Sequence, residues 1–179
     1  MTAAVTLTEL NTGGRDAFVA ALGGVVEDSA WVADRAWERR PFASLDALHG
    51  AMVDALSAAG ADAQLAVLRA HPDLGARARM SEASTSEQAG AGLDRLTAAE
   101  FARLQRLNHE YRETFGFPFL FAVKGATKHE VLAALERRRR ATRDEEFAEA
   151  LRQVARIVRV RLDSLLSQPP ETGDVAGGL

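Results

Sequence analysis

Four times along this chain a Ser or Thr is followed three residues later by Glu: Ser84/Glu87, Thr97/Glu100, Thr127/Glu130 and Thr142/Glu145. At that spacing the hydroxyl can accept from an orphan N–H of a helix's first turn, and the carboxylate can reach back to the cap's own N–H. Three of the four pairs precede apolar residues at helical spacing. Repeated helix starts of this kind, with no sustained period-two alternation anywhere, predict an all-α chain.

The rest of the pattern agrees. Ser44 is placed to cap a helix carrying Leu45, Leu48, Met52 and Leu56, closed by Gly60. Gln64 to Arg69 reads as a shorter helix with Leu65 and Leu68 inward, ending near His71 because Pro72 disfavours the α conformation in the residue before it. Phe101, Leu104, Leu107 and Tyr111 share one side of a helix that should stop near Gly116. The longest helix is expected over about 143 to 167, with Phe147, Leu151, Val154, Val158 and Leu165 on one face. The apolar run Phe117 to Val123 opens on Gly-Phe-Pro, which favours a buried loop or short helix over a strand. Residues 7–167 therefore read as a single-domain helical bundle with a long C-terminal helix. Residues 1–6 read as a tail, and 168–179, rich in Pro, Gly and acid, as a disordered one.

Composition narrows the function. A chain of 179 residues with 47% hydrophobic and 26% charged residues can bury a real core. The net charge of −3 offers no global basic field for nucleic acid or a membrane surface. With no cysteine, thiolate catalysis, disulfides, iron–sulfur clusters and Cys-ligated zinc are excluded, and no two histidines have zinc-ligand spacing. No apolar run approaches the ~18–20 residues of a membrane span. The N-terminal stretch lacks a signal-peptide pattern and Gly178-Leu179 is not a peroxisomal address, so a cytoplasmic protein is expected.

Three places could carry chemistry. His71-Pro72-Asp73-Leu74-Gly75 sets an imidazole just past a helix end, where it can exchange protons or simply bond one of the last carbonyls. Ser84, Glu87 and Gln88 sit together near a helix start, as acceptors and donors for a urea-like ligand or as a capping box and no more. Arg161 falls about 50° from the centre of the last helix's apolar stripe on an ideal helix. There it needs an anion, which could be a ligand or a buried carboxylate of the protein, or else its stem packs and its head reaches water. Arg152, Arg156 and Arg159 should face solvent. The run Glu136 to Arg140 reads as a solvated helix end rather than a nucleic-acid surface.

The order and spacing of these stretches resemble the OHCU (2-oxo-4-hydroxy-4-carboxy-5-ureidoimidazoline) decarboxylase family. The segments that carry the resemblance are FVAALGGVVEDSAWVADRAWERRPF (18–42), QLAVLRAHPDLG (64–75), STSEQAGAGL (84–93), LNHEYRETFGFPFLFAV (107–123) and ARIVRVRL (155–162). Where the family often carries Asn before the final helix, this chain has Ala141 and Thr142, which leaves the capping of that helix open. The resemblance implies cofactor-free decarboxylation of OHCU to (S)-allantoin by a cytoplasmic homodimer, with no metal and no nucleic-acid or membrane partner. It implies catalytic roles for His71, Glu87 and Arg161. Substrate contacts are implied for Pro72, Ser84, Glu87, Gln88, Arg161 and the stretch Phe119, Leu120, Phe121, Ala122 and Val123. The alternatives are a helical interaction module without catalysis and a nucleic-acid binder using the arginine run.

Overall fold

A computed structural model describes residues 5–76 and 82–166. Among them are α1 (Leu7–Thr12), α2 (Arg15–Leu22), α3 (Trp31–Trp37), α4 (Leu45–Ser57), α5 (Ala61–Ala70), α6 (Glu82–Gly90), α7 (Ala98–Phe115), α8 (Lys128–Arg138) and α9 (Arg143–Leu166), and no strand. The expected all-α fold is present. The stretch read as a disordered C-terminal tail lies outside the described residues.

Local chemistry starts and stops these helices. Thr97 and Thr127 form complete capping boxes with Glu100 and Glu130, and so does Thr6 with Glu9 at the head of α1. Thr142 does the same for α9: its N–H donates to Glu145 Oε2 at 2.8 Å and its Oγ1 accepts from Glu145 N at 3.3 Å. The cap position that departs from the family's usual Asn is thus filled. Ser44 caps α4, accepting from Ala47 N at 3.1 Å. At the end of α7, Gly116 adopts φ +79°, the left-handed turn that suits glycine at a helix C-terminus. No single helix among the described residues is long and apolar enough to cross a membrane.

Helix α9 runs through the domain and packs on α4, α5 and α7; α3 packs between α2 and α4, and α8 lies against α7. Tyr111, Phe115, Phe117 and Phe119 form an aromatic cluster beside it, with Tyr111 4.5 Å from Phe115 and 5.4 Å from Phe119 between ring centroids. The segment after Gly116 is a buried loop, as its Gly-Phe-Pro start predicts.

Three sequence expectations are corrected. Ser84 does not open α6; it is the third residue of that helix, so Ser84/Glu87 is no capping box. Both side chains are engaged by long-range charged partners instead. The buried face of α9 is not the expected stripe, since Phe147, Leu151 and Leu165 are only partly buried while Glu146, Gln153 and Arg161 are buried. On an ideal helix the buried residues centre about 50° from that stripe, which puts Arg161 in the middle of the buried face. Finally, the arginine run is not uniformly solvated, because Arg138 is 8% exposed and pairs with Glu146.

Candidate active site

Pro72 forces the residue before it out of the helical region. His71 accordingly caps α5 with φ −74° and ψ 141°, and its side chain turns inward, only 5% exposed. Its Nδ1 lies 2.8 Å from the Val67 carbonyl, which can only accept, so Nδ1 carries the proton. The sequence left open whether His71 bonds a helix carbonyl or stands ready for chemistry. It does the first with one nitrogen and keeps the other: Nε2 is buried and has no hydrogen-bond partner among the described residues.

Burial holds the His71 pKa below the usual histidine value. The Val67 carbonyl and the carboxylates of Glu27 and Glu87 oppose that shift, while Arg161 adds to it. The resting imidazole is therefore neutral near pH 7, with its lone pair on Nε2.

The turn after His71 is braced from two helices. Gly75 takes φ +72°, and an added Cβ would sit 2.5 Å from Leu104 Cδ2, so both backbone and space call for glycine. Its N–H donates to Gln88 Oε1 at 2.8 Å, and Asn108 Nδ2 donates to the Leu74 carbonyl at 2.9 Å. Arg112 holds Asp73 at 2.8 Å on the outer side.

Across from His71 stands Arg161, 5% exposed, with every nitrogen engaged. Nε donates to Glu87 Oε1 at 3.0 Å and Nη1 to the Val25 carbonyl at 3.0 Å. Nη2 faces Ser84 Oγ at 3.0 Å, Glu27 Oε1 at 3.1 Å and Glu87 Oε2 at 3.3 Å. Ser84 Oγ in turn donates to Glu27. A buried guanidinium needs such partners, since an unpaired charge here would be costly.

These side chains enclose a cavity of about 320 Å³ including its mouth. Its polar lining is His71, Ser84, Glu87, Gln88 and Arg161; its apolar lining is Pro72, Leu74, Leu120, Phe121, Val123 and Ile157. His71 and Pro72, Ser84, Glu87 and Gln88 of α6, and Arg161 of α9 are thus brought to one place. In the stretch 119–123, Leu120, Phe121 and Val123 face the cavity, while Phe119 and Ala122 stand off it. Phe119 packs among Tyr111, Phe121 and the Arg138 guanidinium. The Ala122 N–H is engaged by Gln153 Oε1 at 2.9 Å, so it is not an inward donor. Sequence reasoning missed Glu27 and Val25. The one available signal was the adjacent acidic pair Glu27 and Asp28 in the turn Gly23–Ala30. Among the described residues, no three His, Asp or Glu side chains are placed to hold a metal ion.

A helical domain that lines a small cavity with a neutral histidine, one carboxylate and an arginine has groups able to hold a small polar molecule and to exchange a proton with it. The family profile described as OHCU decarboxylase matches residues 11–163. The chain is 45% identical to 2-oxo-4-hydroxy-4-carboxy-5-ureidoimidazoline decarboxylase of Halalkalicoccus jeotgali, over 90% of this chain and 92% of that one. It is 47% identical to the Haloferax volcanii protein of the same name, over 88% and 94%. A solved structure of (S)-allantoin synthase superposes with a TM-score of 0.73 at 35% identity, over 90% of this chain and 54% of that one. A second, OHCU decarboxylase in the presence of (S)-allantoin, shares the fold with a TM-score of 0.68 at 23% identity, over 87% of this chain and all of that one. The chain belongs to the OHCU decarboxylase family.

Proposed function

We propose that this protein decarboxylates 2-oxo-4-hydroxy-4-carboxy-5-ureidoimidazoline to (S)-allantoin, as a carboxy-lyase of urate breakdown. The observation that carries the reading is the buried Nε2 of His71, left without a partner in a cavity otherwise rich in paired polar groups. Family membership supports the substrate, and residues 7–167 form the catalytic domain in this reading.

The substrate carries a hydroxyl and a carboxylate on one ring carbon, next to a C=N carbon that bears the ureido group. When the carbon–carboxylate bond breaks, its electron pair enters the adjacent C=N, and the ring nitrogen takes a proton from solvent. Because the substrate holds its own electron sink, an external cofactor has no electrons to accept. His71 Nε2, with its lone pair available, takes the hydroxyl proton as the carbonyl forms. It then returns that proton to the ring carbon bearing the ureido group, on one face, which makes the product a single enantiomer. One proton is consumed and CO₂ is released.

The remaining groups bind and orient. Glu87 and Ser84 supply acceptors for ureido and ring N–H groups, with Gln88 beside them. Arg161 faces the ring oxygens and the charge that develops on the ring. Leu120, Phe121, Val123 and Ile157 keep the cavity dry, which strengthens each polar contact. The homodimer and the cytoplasmic setting implied by the resemblance belong to the same proposal.

The test is to generate the substrate in a cuvette from urate with urate oxidase and hydroxyisourate hydrolase, and to follow circular dichroism with and without this protein. Rapid growth of the (S)-allantoin signal is expected. Slow formation of racemic product at the spontaneous rate would overturn the reading.

A further inference from the structure

Glu27 does not line the cavity, yet it touches two residues that do. Its Oε1 accepts from Ser84 Oγ and from Arg161 Nη2, the latter at 3.1 Å, and its side chain is 11% exposed. The turn that carries it, between α2 and α3, also supplies the Val25 carbonyl to Arg161 Nη1. The next residue, Asp28, has φ +46°, and no other non-glycine residue among those described has positive φ. Left-handed backbone at a non-glycine residue persists where surrounding contacts enforce it, and it gathers at sites where a side chain must be aimed.

Resting on the decarboxylase reading, we propose that Glu27 is a positioning residue of this site. It fixes Ser84 and Arg161 and, as a second counterion, keeps the arginine from clamping the scissile carboxylate. Two consequences follow from the geometry. The Ser84 hydroxyl proton is directed at Glu27, so what Ser84 can turn toward a substrate is acceptor character, suited to N–H groups. Arg161 is formally balanced by Glu27 and Glu87 together, leaving the trio with one negative charge. A substrate carboxylate therefore meets no uncompensated cation. Charge is free to leave it as CO₂ departs, whereas a tight ion pair would stabilise the ground state and slow that step.

The test compares Glu27→Gln with wild type in the coupled dichroism assay, with thermal melting alongside and sodium acetate as a probe anion. The glutamine keeps the shape and an acceptor oxygen but removes the counter-charge. The expected result is a kcat lower by roughly 10- to 100-fold with KM unchanged or lower, and inhibition by acetate that wild type lacks. An unchanged kcat with only a lowered melting temperature overturns the proposal, as does a raised KM at unchanged kcat. If Glu27→Gln does not fold, Ser84→Ala, which cuts Glu27 from α6 and also removes Ser84's bond to Arg161 and its acceptor for substrate, must lower kcat besides any rise in KM; normal kcat in that variant overturns the proposal too. Wild-type turnover with an unaltered Glu27→Gln removes only the role of Glu27. An inactive wild type removes the decarboxylase reading and this role with it.

Discussion

Among the described residues two arginines are buried, and they do different things. Arg138 closes α8, and Arg161 lies near the end of α9; each is under a tenth exposed and each is paired with a carboxylate. Around Arg138 the shell is complete. The guanidinium donates to Glu146 at 2.9 Å and to the Leu120 carbonyl at 2.7 Å, and it lies 4.6 Å from the Phe119 ring centroid. Tyr111 donates its phenol proton to the same Glu146 carboxylate. Burial and that carboxylate hold the phenol far above its ordinary pKa, so the group does not ionise. Around Arg161 a cavity opens, and on its rim stands His71 with one nitrogen unpartnered. A buried ion pair by itself marks no site. What marks one is an incomplete shell next to room for a ligand.

The comparison can be broken most directly at the open shell. His71→Ala should lower turnover by about 10³-fold, since it removes the proton relay, while far-ultraviolet dichroism stays that of the folded domain. Near-normal turnover would show that the unpartnered nitrogen is incidental. Glu87→Gln comes next. It should raise KM by roughly 10- to 100-fold, because an acceptor for substrate N–H groups is lost. A change confined to melting temperature would make Glu87 as structural as Glu146.

A smaller effect appears in the pH profile. His71 has a folded-state pKa below its ordinary value of 6.5, so the neutral base persists below that pH. The acid limb of kcat/KM should therefore lie below pH 6.5, with about a tenfold loss per pH unit beyond the folded pKa. Stability follows the same sign. Between the folded pKa and 6.5 the unfolded chain binds a proton that the folded chain does not. Stability from this group thus falls as pH drops through that window, and a His71→Asn variant should lack the slope. An acid limb above pH 6.5 would contradict the buried, neutral imidazole. Least of all, Ser44→Ala, which removes the side-chain cap of α4, should cost about 1 kcal/mol in urea melts and leave turnover untouched.

What was readable in the sequence follows the range of each interaction. Thr97, Thr127 and Thr142 announce helices because a capping box closes within three residues. Pro72 announces the end of α5 because its clash is with the preceding residue. His71 could be singled out for the same reason. Arg161 could be suspected from its position on α9, but its partners could not be named: Glu27 and Val25 lie 134 and 136 residues earlier in the chain. The same blindness hid the Arg138–Glu146 pair, which a run of arginines followed by acids disguised as a solvated helix end. Ser84 and Glu87 show the converse. Their spacing satisfied the local rule, yet Arg161 and Glu27 engage them from afar. In the stretch 119–123 the apolar pattern indicated a wall but could not say which residues face inward, because a loop without a fixed period carries no such register.

The most direct test sets the two arginines side by side. Arg138→Met and Arg161→Met are compared for melting and for (S)-allantoin formation at a temperature where both variants are folded. Arg138→Met is expected to lose about 3–5 kcal/mol of stability, since it strands the Glu146 carboxylate, while its folded fraction turns over normally. Arg161→Met is expected to lose turnover by roughly 10²-fold or more at that temperature. Equal loss of activity in both, or normal turnover by Arg161→Met, would contradict the assignment of the open cavity as the reactive site.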